Sequence, residues 1–406
     1  MNNTFTGRNI AFFEPSQDFA TNPSLICLAE ELLNVGARID IFMPKFGKYP
    51  NPNINNKYSI YSFPKKMRLW TGSIRQSLNN CLNNIKLVTK KETLQAYSTL
   101  KRKRYDLIFG INEEGLISAA DFTKKYSTPL IYLNFEIFFM DELLTYIDRK
   151  EKTREIKVSQ LVNLVLIQDK WRADLLASEN NIDEKKFAYL PIAPRLAKNT
   201  IKSQYLRKKY NIPENKFIIL HSGSFASWTH ADELLENVDK WPDNTILLIH
   251  TRYRPDENDK QINKIINKNS PNIILSTDLL DDQTYEKMVC SADIGLVLYK
   301  KIPGSKYVQK NIETIGLSSG KFSYYMKYGL PTISMGQKTY DELLKEYSFG
   351  YNLGTFEEMP EGLKKLTVNY EEFSREATRL FSEKLAFDLF WPNVSEKILN
   401  IINSTS

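Results

Sequence analysis

The strongest constraint on the fold is an alternation of short apolar runs with helical patterns along nearly the whole chain. Asn9–Phe13 predicts a strand, Pro23–Asn34 carries leucines at helical spacing, and 39–43 predicts the next strand. Gly36 ends the helix between the two strands. Such a β–α–β unit implies parallel strands joined by a right-handed crossover. The pattern therefore predicts an α/β fold.

The alternation continues to the C-terminus with one interruption. Further strands are predicted at 105–110, 130–134, 164–168 and 187–190, and helices at 115–126 and 170–179. Pro191 and Pro194 then break the pattern, so a linker is expected near 191–200. A second series predicts strands at 217–221, Thr245–His250, 273–275, 294–299 and Thr332–Met335, and helices at 320–328 and 341–347. The chain from 371 onward is predicted to be mostly helical, with Pro392 just inside the start of a last helix at 394–402.

Two series of similar size predict two doubly wound, Rossmann-like domains facing a central cleft. The chain has 406 residues, which suits two domains. The predicted boundaries are 1–195 for the first domain and 196–385 for the second. Ligands of such domains bind at the carboxyl ends of the strands, so the cleft is the expected site.

Positive charge is concentrated in one segment. The formal net charge is +7, yet residues 65–104 alone carry eleven lysines and arginines against one glutamate. An anionic partner is expected there: a phospholipid surface, a phosphorylated substrate or nucleic acid. No reading motif accompanies the charge, which disfavours nucleic acid. Apolar residues at partly helical spacing suit either an interfacial helix on anionic lipid or an ordinary helix covering the core.

The sequence predicts a cytoplasmic protein, with peripheral contact to the inner face of the membrane as a further expectation. Its first apolar run is too short for a signal peptide, and no stretch approaches the roughly 20 apolar residues of a membrane helix. The three cysteines are widely spaced, which favours reduced thiols over disulfides. No ligand spacing for a metal occurs, so no protein-bound metal is expected.

The best candidate for an anion site is the segment 316–331, "GLSSGKFSYYMKYGLP". Ser318 and Ser319 are suitable helix N-caps, and Gly320 permits close approach of a ligand to the backbone. Free amides of the first turn, the helix dipole and Lys321 would attract a diphosphate. A plain capped helix that ends at Gly329 explains the same residues equally well.

A second candidate follows the strand at 217–221. Ser222, Gly223 and Ser224 could offer hydroxyl groups and amides to phosphate oxygens, although a simple turn is an equal alternative. The three histidines of the chain, His221, His230 and His250, all lie in the second half. A lone histidine is more often structural than catalytic, and the grouping of three around one predicted strand edge raises the odds of a site.

Acidic residues follow two strands of the first half. Asn112, Glu113 and Glu114 come after the strand at 105–110, and Glu136 ends the next strand. Carboxylates at strand ends are candidate general bases or acceptor-orienting groups. For Glu113 and Glu114, favourable charge at a helix start is an equal alternative.

These residues resemble a known family, the "group 1" glycosyltransferases of GT-B fold, which are mostly retaining. Three stretches carry the resemblance: "IILHSGSF", "YEKMVCSADIGLVLY" and "SSGKFSYYMKYGLPTIS". The C-terminal "WPNVSEKILNII" resembles the helix that crosses back to the N-terminal domain, so the resemblance assigns 386–406 to that role. The first half would then bind the acceptor and the second half the nucleotide sugar.

The resemblance also implies roles for single residues. Donor-binding residues would be Ser222, Gly223, Ser224, Thr277, Asp278, Leu279, Ser318, Ser319, Gly320, Lys321 and Tyr324, with Thr277–Leu279 near the nucleobase. Many family members have glutamates at the positions of Gly316 and Tyr324, and basic residues at those of Ser224 and Thr229. Lys321, Arg252 or Arg254 would then supply the missing positive charge.

The implied activity is transfer of a sugar, as in hexosyltransferases, from a nucleoside diphosphate sugar to an acceptor hydroxyl. The acceptor would be a glycan or a lipid-linked or protein-linked group, in polysaccharide or glycoconjugate synthesis. The reaction would need neither a metal nor a cofactor, and Glu113, Glu114 or His230 could serve as base if configuration inverts. A catalytically inactive binding or regulatory subunit of the same fold is the alternative, because the family's glutamates are missing here. An epimerase or a phosphorylase of this fold is a third possibility, although no cofactor-anchoring lysine motif stands out.

Overall fold

The structure is a computed structural model that describes residues 5–14, 16, 19–44, 54, 58–62, 90–196, 202–251 and 259–405. The chain divides into two compact units. The first comprises Met1–Pro191 together with Phe390–Ser406, and the second comprises Ile192–Leu389.

The first unit contains a parallel seven-stranded sheet of order β3-β2-β1-β4-β5-β6-β7. Its strands are β1 (Asn9–Phe13), β2 (Arg38–Met43), β3 (Tyr58–Ser62), β4 (Leu107–Ile111), β5 (Leu130–Leu133), β6 (Leu164–Ile167) and β7 (Phe187–Tyr189). Its helices are α1 (Pro23–Asn34), α2 (Lys90–Arg102), α3 (Asn112–Tyr126), α4 (Tyr146–Ser159) and α5 (Lys170–Asn180). The central strands are buried on both sides, as parallel sheets covered by helices require.

The second unit contains a parallel six-stranded sheet of order β10-β9-β8-β11-β12-β13. Its strands are β8 (Phe217–Ser222), β9 (Thr245–His250), β10 (Ile273–Ser276), β11 (Ile294–Val297), β12 (Thr332–Met335) and β13 (Gly350–Leu353). Its helices are α6 (Tyr205–Tyr210), α7 (Ala231–Asn237), α8 (Lys260–Lys268), α9 (Asp282–Ser291), α10 (Lys310–Glu313), α11 (Gly320–Lys327), α12 (Lys338–Leu344), α13 (Met359–Val368) and α14 (Tyr370–Leu380). A π-helical turn, Phe381–Leu385, leads into the last helix, α15 (Phe387–Thr405).

Both faces of the second sheet pack against helices. Along β8, Ile218 and Leu220 belong to one hydrophobic cluster, which also includes Phe322 of α11. Ile219 lies between them in sequence and belongs to the cluster on the other face, with Leu234 of α7. This alternation follows from the two-residue period of a strand. It confirms the predicted two-domain α/β fold with doubly wound sheets.

Two edge strands were not predicted by the sequence pattern. In β3, no residue is fully buried, so its side chains lack the continuous apolar run of a central strand. In β13, an ideal Cβ on Gly350 would lie 2.0 Å from the carbonyl oxygen of Thr332, which explains a glycine inside that strand.

The prediction that Pro392 stands just inside the start of the last helix is wrong. Helix α15 begins five residues earlier, at Phe387, and continues through the proline. Proline lacks the amide that would bond to the carbonyl oxygen of Asp388. Burial of the apolar stripe Val394, Ile398 and Ile402 compensates for that loss. Among the residues that the structure describes, no helix is both long and apolar enough to cross a bilayer.

Candidate functional site

The second sheet changes its winding direction between β8 and β11. These strands are neighbours, with Ile294 beside Ile219 and Gly295 beside Leu220, although two other strands, β9 and β10, lie between them in sequence. Open α/β sheets bind ligands at such a switch point, beyond the carboxyl ends of the strands. A ligand site is therefore expected in the segments that follow β8 and β11.

The turn after β8 is held by hydrogen bonds from its own unit. The amide of Ser222 donates to Tyr325 Oη at 3.2 Å, and its hydroxyl lies 3.0 Å from Tyr285 Oη. The amide of Gly223 donates to the carbonyl oxygen of His250 at 2.9 Å. Gly223 has φ +109°, while a Cβ there would meet no atom within 4 Å. Glycine is thus required for the backbone conformation, and the space beside it is open.

Helix α11 begins beside this turn, but its N-terminus differs from the expectation. Ser319 occupies the N-cap position, yet its side chain makes no hydrogen bond to the helix. Its Oγ instead shares a 2.7 Å hydrogen bond with Tyr299 Oη. Ser319 is therefore at the predicted N-cap position but lacks the side-chain bond of a cap, whereas the prediction is wrong for Ser318, which belongs to a preceding 3₁₀ turn. The amide of Phe322 in the first turn donates to the carbonyl oxygen of Ser319 at 3.0 Å. The positive end of the helix dipole nevertheless makes this end suitable for an anion.

Lys321 brings positive charge to the same end of α11. It is buried, and its ammonium lies 4.9 Å from the centroid of the Tyr299 ring. The cation–π contact orients the side chain toward the segment after β11. Tyr299 thus contacts two of the predicted donor-binding residues and was itself missed by the sequence analysis, since a tyrosine at the end of an apolar run is usual in a core.

His221 is fully buried at the end of β8. Its Nε2 donates to the carbonyl oxygen of Ser224 at 3.0 Å, and no described residue hydrogen bonds to its Nδ1. Burial, followed by the charge of Lys321, lowers the pKa of His221 to about 3. The ring is therefore neutral near pH 7, and its Nδ1 can accept a hydrogen bond from a ligand.

His230 stands at the start of α7 with φ +58°. Its ring stacks on Phe356 at 5.6 Å, and its Nδ1 lies 3.3 Å from Glu233 Oε1. Burial lowers the pKa of His230, although the Glu233 carboxylate opposes that effect. The imidazole is therefore mainly neutral near pH 7, the state that a general base requires.

Aromatic and polar side chains surround the ends of β9 and β10. His250 Nδ1 lies 3.0 Å from Ser276 Oγ, and the His250 ring lies 6.2 Å from that of Tyr285. Tyr285 also packs edge-on against Tyr324, the predicted donor-binding residue, at 5.3 Å. The structure thus brings Tyr324 near the β8 turn through Tyr285, whose hydroxyl contacts Ser222.

The other predicted donor residues follow β10. Thr277 is half-buried, Leu279 is half exposed, and the Asp278 carboxylate forms an ion pair with Lys209 of α6. Arg252 and Arg254 lie outside the described residues, as does most of the basic segment 65–104, so the expectations for them stay predictions.

The first sheet also has a switch point, between β1 and β4, and the predicted acids lie there. A Cβ on Gly115 would lie 2.3 Å from the carbonyl oxygen of Phe13, so glycine allows α3 to start against the end of β1. Glu113, in the first turn of α3, is buried, and Glu114 is half-buried. Asn112 Oδ1 accepts hydrogen bonds from the amides of Phe135 and Glu136 at 2.8 and 3.2 Å. The ends of β4 and β5 are thereby joined.

A fully buried arginine supports the segment after β5. Arg172 donates to the carbonyl oxygen of Phe135 at 2.7 Å and to Gln168 Oε1 at 2.8 Å. Burial lowers the pKa of its guanidinium, and the charge of Glu136 opposes that effect. The position of Glu136 at the strand end is therefore fixed from two sides, by Asn112 and by Arg172.

No metal-binding constellation is found in the part of the chain that the structure describes: groups of three or more histidine, cysteine, aspartate or glutamate side chains do not occur there. Near the start of α11, positive charge comes from the Lys321 ammonium and from the helix dipole.

The fold has counterparts among solved structures, although no protein-family model and no curated protein sequence matches the chain. A sucrose-phosphate synthase from Thermosynechococcus elongatus has a TM-score of 0.70 at 12% identity, over 98% of this chain and 100% of that one. Anabaena HepE in complex with UDP-glucose has a TM-score of 0.67 at 11% identity, over 97% and 99% of the two chains. A glycosyltransferase from Rickettsia africae has a TM-score of 0.64 at 12% identity, over 97% and 98%.

A different activity also occurs among the similar structures. A putative UDP-N-acetylglucosamine 2-epimerase from Listeria monocytogenes has a TM-score of 0.55 at 12% identity, over 99% of this chain and 98% of that one. At such identities the likeness concerns the fold and leaves the reaction to the site. Together with the two doubly wound sheets, these structures identify the chain as a protein of the GT-B fold.

Proposed function

We propose that the chain transfers a sugar from a nucleoside diphosphate sugar to an acceptor hydroxyl. The observation that carries the proposal is the meeting of three groups at one switch point: the amino end of α11, Lys321 and the unpartnered Nδ1 of His221. The Lys321 ammonium and the partial positive charge at the amino end of α11 suit a diphosphate, and a neutral imidazole acceptor suits a hydroxyl of a sugar or ribose. The UDP-glucose named for the HepE structure supports this class of donor.

The same groups would assist the reaction. Negative charge develops on the diphosphate as its bond to the sugar breaks, and donors aimed at that charge lower the barrier. Lys321 and the first-turn amides of α11 would do this without a metal ion. The half-buried Ser224 and the open space beside Gly223 would leave room for the phosphate groups.

The acceptor would be bound by the first unit. Glu113, Glu114 and Glu136 follow β4 and β5 at the carboxyl edge of that sheet, where a hydroxyl could be oriented or deprotonated. His230 is a further candidate base. We propose a glycan, a lipid-linked or a protein-linked acceptor, in polysaccharide or glycoconjugate synthesis, for a cytoplasmic enzyme that contacts anionic lipid through 65–104.

The second candidate that we propose is a catalytically inactive binding subunit, and one position bears on it. Gly316 has φ +34°, and a Cβ there would lie 2.6 Å from Thr339 Oγ1. This backbone therefore excludes the glutamate that the resemblance places at 316. The absence of a glutamate that many family members have at this position is what motivates the alternative.

Thermal shift against a panel of nucleoside diphosphates and nucleotide sugars tests the donor, with and without divalent metal. A ligand that binds the folded state raises Tm. The best donor is then incubated with glycan and lipid-linked acceptors. Mass spectrometry of the products tests whether the sugar is transferred. Binding without transfer or hydrolysis favours the inactive subunit. Conversion of UDP-N-acetylglucosamine without an acceptor favours an epimerase, and no shift from any nucleotide refutes the proposed donor site.

A further inference from the structure

A second lysine stands at the switch point of the second sheet. Lys300 comes two residues after the well-buried Leu298 that continues from β11, and directly after Tyr299. Its amide donates to the carbonyl oxygen of Trp228 at 2.9 Å, and the Trp228 ring stacks on that of Tyr299 at 5.7 Å. The segment after β11 is thus fastened to the turn that follows β8. Lys300 is thereby fixed beside the candidate donor site.

The side chain of Lys300 is held by an acid from α7. Its ammonium forms a hydrogen-bonded ion pair with Glu233 Oε1, the oxygen that also lies 3.3 Å from His230 Nδ1. Burial alone would raise the pKa of Glu233, but the bond from Lys300 and the neighbouring positive groups outweigh it and lower that pKa. Glu233 is therefore ionised near pH 7 and anchors the lysine.

The ammonium nevertheless keeps capacity for a ligand. The Lys300 side chain is 32% exposed, and an ammonium has three N–H donors, of which one oxygen of Glu233 takes one. A partly exposed pair of this kind adds little to folding stability, so stability alone is a weak reason for its presence. Lys321 contacts the Tyr299 ring, and Lys300 is the next residue along the chain from Tyr299. Tyr299 is thus linked to both lysines, to Lys321 through a ring contact and to Lys300 as its neighbour in the chain.

We infer that Lys300 binds the diphosphate of the donor together with Lys321, and that Glu233 positions Lys300 for this contact. The inference rests on the proposed function and names a phosphate-binding residue in addition to Lys321. Two ammonium groups match the two negative phosphoryl groups of the leaving nucleotide. Lys300, which follows β11, would then supply positive charge that many family members carry at the positions of Ser224 and Thr229.

Isothermal titration of UDP, UMP and uridine against wild type and Lys300→Met isolates the phosphate contact, because methionine keeps the length of the stem. If another base gives the largest thermal shift, its diphosphate, monophosphate and nucleoside replace this series. We expect the diphosphate Kd to rise roughly tenfold or more in Lys300→Met and the nucleoside Kd to change less than about twofold. Lys301→Met is the matched control: this neighbouring lysine pairs with Glu313 and is 53% exposed, and its loss should leave all three Kd values unchanged.

Two further variants separate positioning from folding. Lys300→Arg should keep most of the diphosphate affinity, whereas Glu233→Gln should weaken the diphosphate a few fold and leave the nucleoside unchanged. Unchanged diphosphate binding in Lys300→Met, or an equal loss for the diphosphate and the nucleoside, would overturn the inference and leave the proposed function standing. A wild-type protein that binds no nucleotide overturns both.

Discussion

Tyr299 Oη and Ser319 Oγ share a 2.7 Å hydrogen bond that joins the segment after β11 to the N-cap residue of α11. The bond occupies the serine oxygen that would otherwise cap the helix. The serine side chain is therefore directed to Tyr299 instead of its own helix, and the Tyr299 ring contacts the Lys321 ammonium.

Tyr299→Phe removes the bond and keeps the ring. We expect a loss of about 1 kcal/mol in unfolding free energy. Nucleoside diphosphate binding should weaken several fold, because the released Ser319 hydroxyl can turn to its own helix. Urea unfolding measures the change in stability, and calorimetric titration with a nucleoside diphosphate measures the change in affinity. Tyr347→Phe is the control, because it removes a 2.8 Å bond to Glu383 within the same unit and should lower stability without changing the Kd.

Lys321→Met removes a charge from the amino end of α11. We expect the nucleoside diphosphate Kd to rise roughly 10- to 100-fold, since a charged hydrogen bond contributes about 1.5–3 kcal/mol. Lys327→Met provides the comparison within the same helix: that lysine is also buried, but it pairs with Glu286 at 2.8 Å. Equal affinity in Lys321→Met and wild type would remove Lys321 from the donor site.

The buried imidazole of His221 predicts a pH dependence of stability. Its folded pKa of about 3 lies below the ordinary value of 6.5 for histidine, so the folded state binds fewer protons than the unfolded state between these values. Stability from this group is complete above about pH 6.5 and falls as pH decreases toward 3. We expect wild type to lose about 2 kcal/mol more than His221→Gln between pH 7 and pH 5 in urea unfolding. Parallel pH profiles of the two proteins would contradict this assignment.

Gly223→Ala tests the backbone of the turn after β8. An alanine has space there but must adopt φ +109°, so we expect a loss of about 1–3 kcal/mol or a shifted turn. Gly336→Ala is matched, since it also has positive φ and open space but follows β12. Both variants should lose stability in thermal unfolding, and the Gly223 variant alone should lose nucleotide affinity.

Asn112→Gly tests the join between β4 and β5 in the first unit. Glycine tolerates the φ of 51°, so the variant removes only the acceptor for the amides of Phe135 and Glu136. We expect about 1–2 kcal/mol of destabilisation and a lower rate of sugar transfer at saturating donor, with unchanged nucleotide affinity. Asn269→Gly, at a helix end with φ 46°, controls for the substitution itself. An unaltered transfer rate would argue against an acceptor role for Glu136.

Local sequence patterns determined the succession of strands and helices. The period-two and helical spacings predicted β1, α1, β9 and β12 with their observed bounds, because burial on a sheet or helix face leaves a periodic signature. Edge strands such as β3 were not predicted, since their side chains are only partly buried and lack a clear apolar pattern. The start of α15 was also mispredicted, because proline signals a helix start locally and only tertiary burial reveals that the helix continues through it.

The sequence by itself also predicted the two segments for which we propose anion binding, since a glycine turn and a helix start with lysine are local features. Their geometry was decided by the tertiary structure. Ser319 bonds to Tyr299 instead of capping α11, and Lys300 meets Glu233, 67 residues earlier in the chain. Likewise, the low pKa of His221 follows from complete burial beside Lys321. Contacts between residues distant in sequence leave no local pattern, and only the folded chain shows which side chains share a site.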